Sequence, residues 1–348
     1  MSTPTAGNFD CARLQEIKTD LASLYSPKNE LHDPDLIADV APLKMIMDIQ
    51  TVKITALEDP TKDHMVKGTF MIDCDEEAPT DCTETCEIDG PEIGTLCKDY
   101  ELDLCFQKSF SVFERKFRTL GNEVNQNMEV AVNLGRKLKL MDEHYAGLAV
   151  SALDSMSGLN LYSGEYTVAA DATTIPAAAW NPDLFPYFAV AKSRNRLPSM
   201  KLLLGGLMER ALVKAELESE TEAGRANIRK IKSLGNVYTD SFVTEAKLGY
   251  KAAFLVSPSA LGVATKAYHS PYGAGREEIA DGNKQVLYTI TSPNTGIVYD
   301  VTYQVSCVVV NGLKDWKHTW EIKTKGGFLT SPSFCNTNRT GVLQFKCG

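Results

Sequence analysis

Residues 106–152 read FQKSFSVFERKFRTLGNEVNQNMEVAVNLGRKLKLMDEHYAGLAVSA. Their apolar positions fall at Phe106, Phe110, Phe113, Phe117, Leu120, Val124, Met128, Ala131, Leu134, Leu138, Met141, Tyr145, Leu148 and Ala152. Steps of three and four residues put side chains on one face of an α-helix. The spacing predicts one long helix, or two collinear ones bent near Gly121 or Gly135, with one face buried throughout. At ~1.5 Å per residue, about fifty residues would span roughly 75 Å. Compact chains of 348 residues rarely hold such a rod, and assembly-forming subunits more often do.

Immediately before this stripe the charge changes. Between Met71 and Leu104 twelve acidic residues face one lysine, whereas the rest of the chain holds 33 acidic and 35 basic residues. The net charge of -9 is therefore local, and it marks a surface or interaction segment. The remainder is nearly balanced, without the strong basic patch that grips DNA. The acidic stretch also carries Cys74, Cys82, Cys86, Cys97 and Cys105, with Pro79 and Gly90-Pro91 breaking regular structure. Cys82 and Cys86 stand at a spacing found in zinc sites, and Cys74, Cys97 and Cys105 could complete four thiolates. Disulfides formed after release from a reducing cell, or free thiols, are the alternatives. Of the other cysteines, Cys307 is expected to be a buried small hydrophobe from its alternation, and Cys335 and Cys347 could pair.

Further toward the N-terminus, residues 49–57 and 65–72 favour extended chain around the turn chemistry of Glu58-Asp59-Pro60-Thr61-Lys62-Asp63, which predicts a hairpin. Leu14, Ile17, Leu21 and Leu24 predict a short amphipathic helix stopped by Ser26-Pro27.

C-terminal to the stripe and a Gly- and Ala-rich passage, the pattern is mixed. Trp180-Asn181-Pro182-Asp183 caps a helix over 184–196. A buried strand over 200–204 then leads through Gly205-Gly206 into a helix over 207–220. Residues 250–256 form a second buried strand, and Ser257-Pro258 supplies an N-cap and first-turn proline that predict a helix over 259–268. Ile297, Tyr299, Val301, Tyr303, Val305, Cys307 and Val309 alternate, Asn311-Gly312 suits a two-residue hairpin turn, and Trp316, His318, Trp320 and Ile322 alternate on the return. The fold class is α+β.

Candidate chemistry is sparse. The histidines are His32, His64, His144, His269 and His318, and none lies in a nucleophile motif. His144 in the long helix and His318 in a strand suit surface or satisfied-core roles. There is no Walker loop, Rossmann fingerprint or paired-histidine zinc motif, so the chain is read as not an enzyme. Residues 1–9 lack the features of a signal peptide and no stretch is apolar enough to span a bilayer, so a soluble protein made in the cytoplasm, with no membrane partner, is expected.

The order of these elements, with Trp180-Asn181-Pro182-Asp183-Leu184-Phe185, Asn195-Arg196-Leu197-Pro198, Leu202-Leu203-Leu204-Gly205-Gly206 and Gly249 to Leu261, resembles the major capsid proteins of tailed bacteriophages with the Hong Kong 97-type fold. The resemblance covers nearly the whole chain, apart from the acidic stretch. It implies an N-terminal arm (1–45), an extended hairpin loop with an acidic insertion (46–105) and a peripheral domain with a spine helix (106–179). It further implies an α/β axial domain (180–280) and C-terminal strands completing both domains (281–348). It also implies a function without chemistry or cofactor: copies assemble into hexamers and pentamers that close an icosahedral head around packaged double-stranded DNA in the virion. Portal, scaffold or decoration proteins would be further partners, and contact with DNA would not be sequence-specific. An encapsulin-like compartment shell shares that fold and is one alternative. A zinc- or thiol-dependent enzyme built on the Cys74 to Cys105 cluster is the alternative of another class.

Overall fold

The structure, a computed structural model, describes residues 9, 11–56, 65–72, 94–181, 184–195, 200–218, 237–240, 243–258, 260–268, 276–280, 283–310, 312–331 and 340–348. The chain is α+β. It opens with α1 (Cys11–Tyr25), which buries Leu14, Ile17, Leu21 and Leu24 as their spacing predicts. Next comes α2 (Ala41–Ile49), where Leu43, Ile46 and Ile49 are buried one helical turn apart, so Ile49 closes a helix and does not open a strand. The predicted hairpin follows as β1 (Lys53–Ala56) and β2 (Met65–Ile72), paired antiparallel from Lys53↔Thr69 to Ala56↔Val66. β3 (Gly94–Glu101) adds a third antiparallel strand.

The stripe that opens at Phe106 is not helical at its start. β4 (Leu104–Phe113) is a strand, and the helix begins only at α3 (Glu114–Leu120). A separation of four residues is one helical turn and also two strand repeats, so Phe106 and Phe110 fit either period. Tertiary pairing decides, because β4 is registered against a C-terminal strand over ten residue pairs. The bend falls at Gly121, whose φ of 83° is open to glycine and strained for other residues. Beyond it α4 (Glu123–Ser155) runs unbroken for 33 residues, about 50 Å.

β5 (Thr167–Val168), β6 (Thr173–Ile175), α5 (Leu184–Arg194), β7 (Lys201–Leu204), α6 (Gly206–Glu218), β8 (Val237–Thr239), α7 (Val243–Leu248) and β9 (Ala252–Val256) follow. After β9, the helix expected from Ser257-Pro258 is absent. Residues Leu261–Lys266 are instead strand β10, with Leu261, Val263 and Ala264 buried. β-branched and small residues fit a ladder here, and the ladder overrides a local cap signal. The chain closes with β11 (Arg276–Ala280), β12 (Asn283–Thr291), β13 (Val298–Val310), β14 (Leu313–Thr330) and β15 (Val342–Cys347). Gly312, with φ of 77°, turns β13 into β14 as the Asn-Gly pair predicts.

These elements form two compact units. The first comprises Met1–Val40, Asp103–Tyr145 and Thr265–Gly326. Its antiparallel sheet places β11, β12, β13 and β14 side by side, with β4 on the far side of β14. The second comprises Ala41–Leu102, Ala146–Ala264 and Gly327–Gly348. Its mixed sheet runs β5-β6-β15-β9-β7-β8, with β15 parallel to β6 and β8 parallel to β7. Trp180, Leu184, Phe188, Met200, Leu204 and Phe345 anchor the core on that sheet. Val52, Val66, Tyr100, Leu102 and Leu329 make a second buried cluster at the base of the β1–β3 sheet.

In the first unit α4 is pinned by one buried carboxylate. Asp142, fully buried, interrupts the apolar stripe. It accepts hydrogen bonds from Ser292 Oγ at 2.5 Å, Tyr299 Oη at 2.7 Å, Thr295 Oγ1 at 3.1 Å and Asn294 Nδ2 at 3.3 Å. The β12–β13 turn therefore has one seating on the helix. Asn294 extends the link by donating to the Leu36 carbonyl and accepting from the Ala38 amide. Leu36 in turn covers Gly135, where a Cβ would stand 2.9 Å from Leu36 Cδ1 and 3.4 Å from Leu21 Cδ1.

Two stability changes follow from this packing. Gly135→Leu relieves a helix glycine worth about 1 kcal/mol, yet the crowding against Leu36 and Leu21 should leave a net loss of about 1–3 kcal/mol. In urea denaturation, adding Leu36→Ala should cost less than the two changes summed; strict additivity would mean the two side chains do not meet. Asp142→Asn turns an amide donor toward hydroxyl and amide donors and should cost about 1–3 kcal/mol. Asp142→Ala, which orphans all four donors, should cost more.

Candidate functional site

The cysteines proposed from sequence are only partly in view. Cys74, Cys82 and Cys86 lie outside the described residues, and Cys97 holds the β3 position opposite Thr69. Cys105 is an exposed free thiol at the start of β4. Among the described residues no group of three or more His, Cys, Asp or Glu has a metal-ligating arrangement. Cys347 is a free thiol and not half of a disulfide with Cys335, which lies outside the described residues. Cys307 is also free and is exposed, against the expectation of burial. Its alternation with Tyr303 is real, but the core that buries Tyr303 ends before Cys307.

Two of the buried titratable groups, Asp142 and His318, sit in closed hydrogen-bonded centres. Burial raises the Asp142 carboxyl above the usual carboxylate range, against the pull of its four donors. His318 is fully buried between Tyr303 Oη, 2.7 Å from its Nδ1, and Glu114 Oε2, 2.8 Å from its Nε2. One tautomer satisfies both partners: the phenol donates to Nδ1, and Nε2–H donates to the carboxylate. Burial holds this imidazole below the ordinary histidine range despite Glu114.

The second unit holds two further polar centres, one half-buried at Asp154 and one buried at Asn160 and Asn195. Asp154 Oδ1 accepts from Gln344 Nε2 at 2.5 Å and Tyr250 Oη at 3.0 Å. Asn195 Nδ2 donates to Asn160 Oδ1 at 2.7 Å, and Asn160 Nδ2 reaches Thr173 Oγ1 at 3.0 Å. These partners come from segments 13 to 204 residues apart, so sequence spacing did not reveal them. In the Asp142 and His318 centres every carboxylate oxygen or ring nitrogen of the central residue is already engaged by a neighbour. They act as locks on packing.

Beside His318 lies a groove of about 530 Å³, lined among others by Glu114, Arg115, Arg118, Cys307, Leu313 and Trp316. A thiol near a histidine and a glutamate invites a nucleophilic reading, which the register opposes. His318 pairs across the ladder with Val305, two residues before Cys307, and both ring nitrogens are already engaged. Arg115 and Arg118 reach Asp315 and Glu114 at 3.5 and 3.8 Å, so the charges there are balanced by adjacent partners.

The surface next to the groove is more telling. The β13–β14 ladder continues to Val310↔Leu313, whereas β12 reaches only Gln304 and β4 only Lys317. Residues 305–310 and 313–316 therefore pair as a two-stranded ribbon beyond the ends of β12 and β4. Near its end Val309 is 67% and Leu313 73% exposed. Both are large apolar side chains left open to solvent at the end of the ladder. No helix among the described residues is long and apolar enough to cross a membrane.

No family model matches the chain, and no curated protein matches it. Among solved structures it is similar to the cyanophage A-1(L) capsid asymmetric unit at 8% identity, over 93% of this chain and 97% of that one, with a TM-score of 0.49. It is similar to a structure from Mycobacterium phage Adephagia at 8% identity, over 94% and 97% of the two chains, with a TM-score of 0.46. It is similar also to the capsid of Ralstonia phage GP4 at 12% identity, over 81% and 83%, with a TM-score of 0.40.

Proposed function

We propose that this chain is a shell-building subunit, the major capsid protein of a tailed bacteriophage with a Hong Kong 97-type fold, and that it carries out no catalysis. The observation that carries the reading is the succession of elements. A short N-terminal helix, an extended antiparallel hairpin sheet, a 33-residue helix, a mixed sheet with covering helices, and a long returning β-hairpin follow one another along the chain. In that reading β1–β3 form the extended loop, α4 is the spine helix, the β11–β14 sheet belongs to the peripheral domain, and the mixed sheet belongs to the axial domain.

Physical requirements agree with it. Each subunit of a closed shell must share with several neighbours more than the ~1,600 Å² of a standard pairwise contact. A long hairpin sheet, a long helix and an apolar ribbon tip supply edges of the needed length. Saturated buried centres suit a subunit selected for rigidity. A body without a dominant positive field lets packaged DNA move in and out without tight phosphate neutralisation. The partners are then copies of the chain in hexamers and pentamers, together with portal, scaffold or decoration proteins and the packaged DNA. The site of action is the virion, after synthesis in the host cytoplasm.

Two measurements test the reading. In light scattering and negative-stain imaging the purified protein should form hexamers, tubes or closed shells, and a monodisperse monomer across wide ranges of concentration and salt would falsify the capsid assignment. Deleting residues 59–64 should shorten the loop beyond the Ala56↔Val66 pair while leaving the buried cluster of Val52, Val66 and Tyr100 intact. The expected result is a subunit within about 1 kcal/mol of the parent in stability that no longer assembles. Unfolding of the deleted chain would make the hairpin an internal folding element instead.

A further inference from the structure

Phe9 is 2% exposed although it stands at the very start of the described chain. Four aromatic rings of the first unit box it in: Phe117 at 5.4 Å between centroids, Tyr303 at 5.3 Å, Trp320 at 5.3 Å and His318 at 5.7 Å. The Arg13 guanidinium lies 3.9 Å from the Phe9 ring centroid. One residue thus fastens the beginning of the chain into the core, and one wall of its box is the only one that can take up a proton near neutral pH.

We propose that His318 makes this fastening a proton-sensitive latch, holding Phe9 and the start of α1 when neutral and releasing them when protonated. The neutral ring is matched to its site, since Tyr303 donates to Nδ1 and Nε2–H donates to Glu114. A proton added at Nδ1 turns that acceptor into a donor. The Tyr303 phenol, 3% exposed, must then turn its own hydrogen away into the core. The charged groups facing the ring divide. Glu114 from α3, itself shared with Arg118 at 3.8 Å, attracts an imidazolium, as does Asp315 from β14, which is shared with Arg115. Arg13 from α1 repels it. Burial opposes the cation most strongly, so the balance favours the neutral ring.

The sign of the effect follows. A histidine held below its ordinary value in the folded protein contributes stability that is complete above its unfolded pKa of about 6.5 and is lost as pH falls below it. Protonation would place a second cation, at His318, beside Phe9 and the Arg13 guanidinium that already lies 3.9 Å from its ring centroid, in a site where Phe9 is only 2% exposed. Expelling Phe9 opens a path for hydration of the new charge. The inference stands on this cluster alone and is independent of the capsid reading.

Hydrogen exchange of residues 11–25 in the full chain, at pH 7.5 and 5.5 and corrected for intrinsic exchange chemistry, tests the latch. That window lies above the range in which ordinary carboxylates titrate. In the parent protein the opening of this segment should rise at pH 5.5 by up to about tenfold, the most that one histidine with an unfolded pKa of about 6.5 can supply across this window. His318→Gln keeps a donor for Glu114 and an acceptor for Tyr303 but has no proton to gain, so its segment should stay closed at both pH values. Phe9→Ala should be open at both. A parent segment that does not respond to pH, or a His318→Gln segment that opens as the parent does, overturns the proposal. Should His318→Gln fail to fold, the titration of His318 followed by NMR in the parent decides. Protonation of His318 without release of the segment would be equally fatal.

Discussion

A carboxylate buried in the apolar face of a long helix must be met by donors, and the first unit is organised around meeting Asp142. Its four partners come from residues 292–299, a turn and strand start far along the chain. Leaving that charge unmet would cost several kcal/mol, a large part of a domain's whole stability. The β12–β13 turn can therefore sit on α4 in one way only. Through Asn294 the same constraint reaches Leu36 and Ala38, and through Leu36 it reaches the one glycine in the buried face of α4. Apolar contacts alone tolerate sliding by a turn; a saturated polar centre does not.

The elements most legible in the sequence were those whose period admits one reading. The α1 stripe, the buried strands around Leu203 and Phe254, the helix after Gly205 and the Asn311-Gly312 hairpin all appear where their residues place them. Errors fell where two periods coincide or where a distant partner decides. Phe106 and Phe110 satisfy both helix and strand, and pairing with β14 selects the strand. Ser257-Pro258 is a sound cap signal, yet Leu261 and Val263 find a place in a sheet. Cys307 continues an inward alternation after the inside has ended. Leu43, Ile46 and Ile49 carried a readable helical signal that the extended reading of 49–57 passed over at its edge.

The buried centres were illegible for a different reason. An aspartate at position 142 in a helical stripe looks like an ordinary polar interruption until its four donors converge from another part of the chain. His318 suited either a surface or a satisfied-core role from its strand position, and Tyr303 and Glu114 beside it decide for the core. Conversely, the acidic, cysteine-bearing stretch was the loudest compositional signal. The described part of it builds a plain antiparallel strand, β3, with no metal-ligating group among the described residues.

The pairing of β4 with β14 has a consequence for timing. His318 and Glu114, which meet beside that ladder, are separated by 204 residues of chain. During synthesis β4 and the helices after it leave the ribosome long before their partner strand exists, and at about 5–20 residues per second the wait is tens of seconds. For that interval the apolar face of β4 and the stripe of α4 have no native cover. Non-local pairing of this kind is slow even once the chain is complete. The first unit therefore closes only after Gly326 has left the ribosome. Until then neither β4 nor the His318 centre that its ladder borders can form.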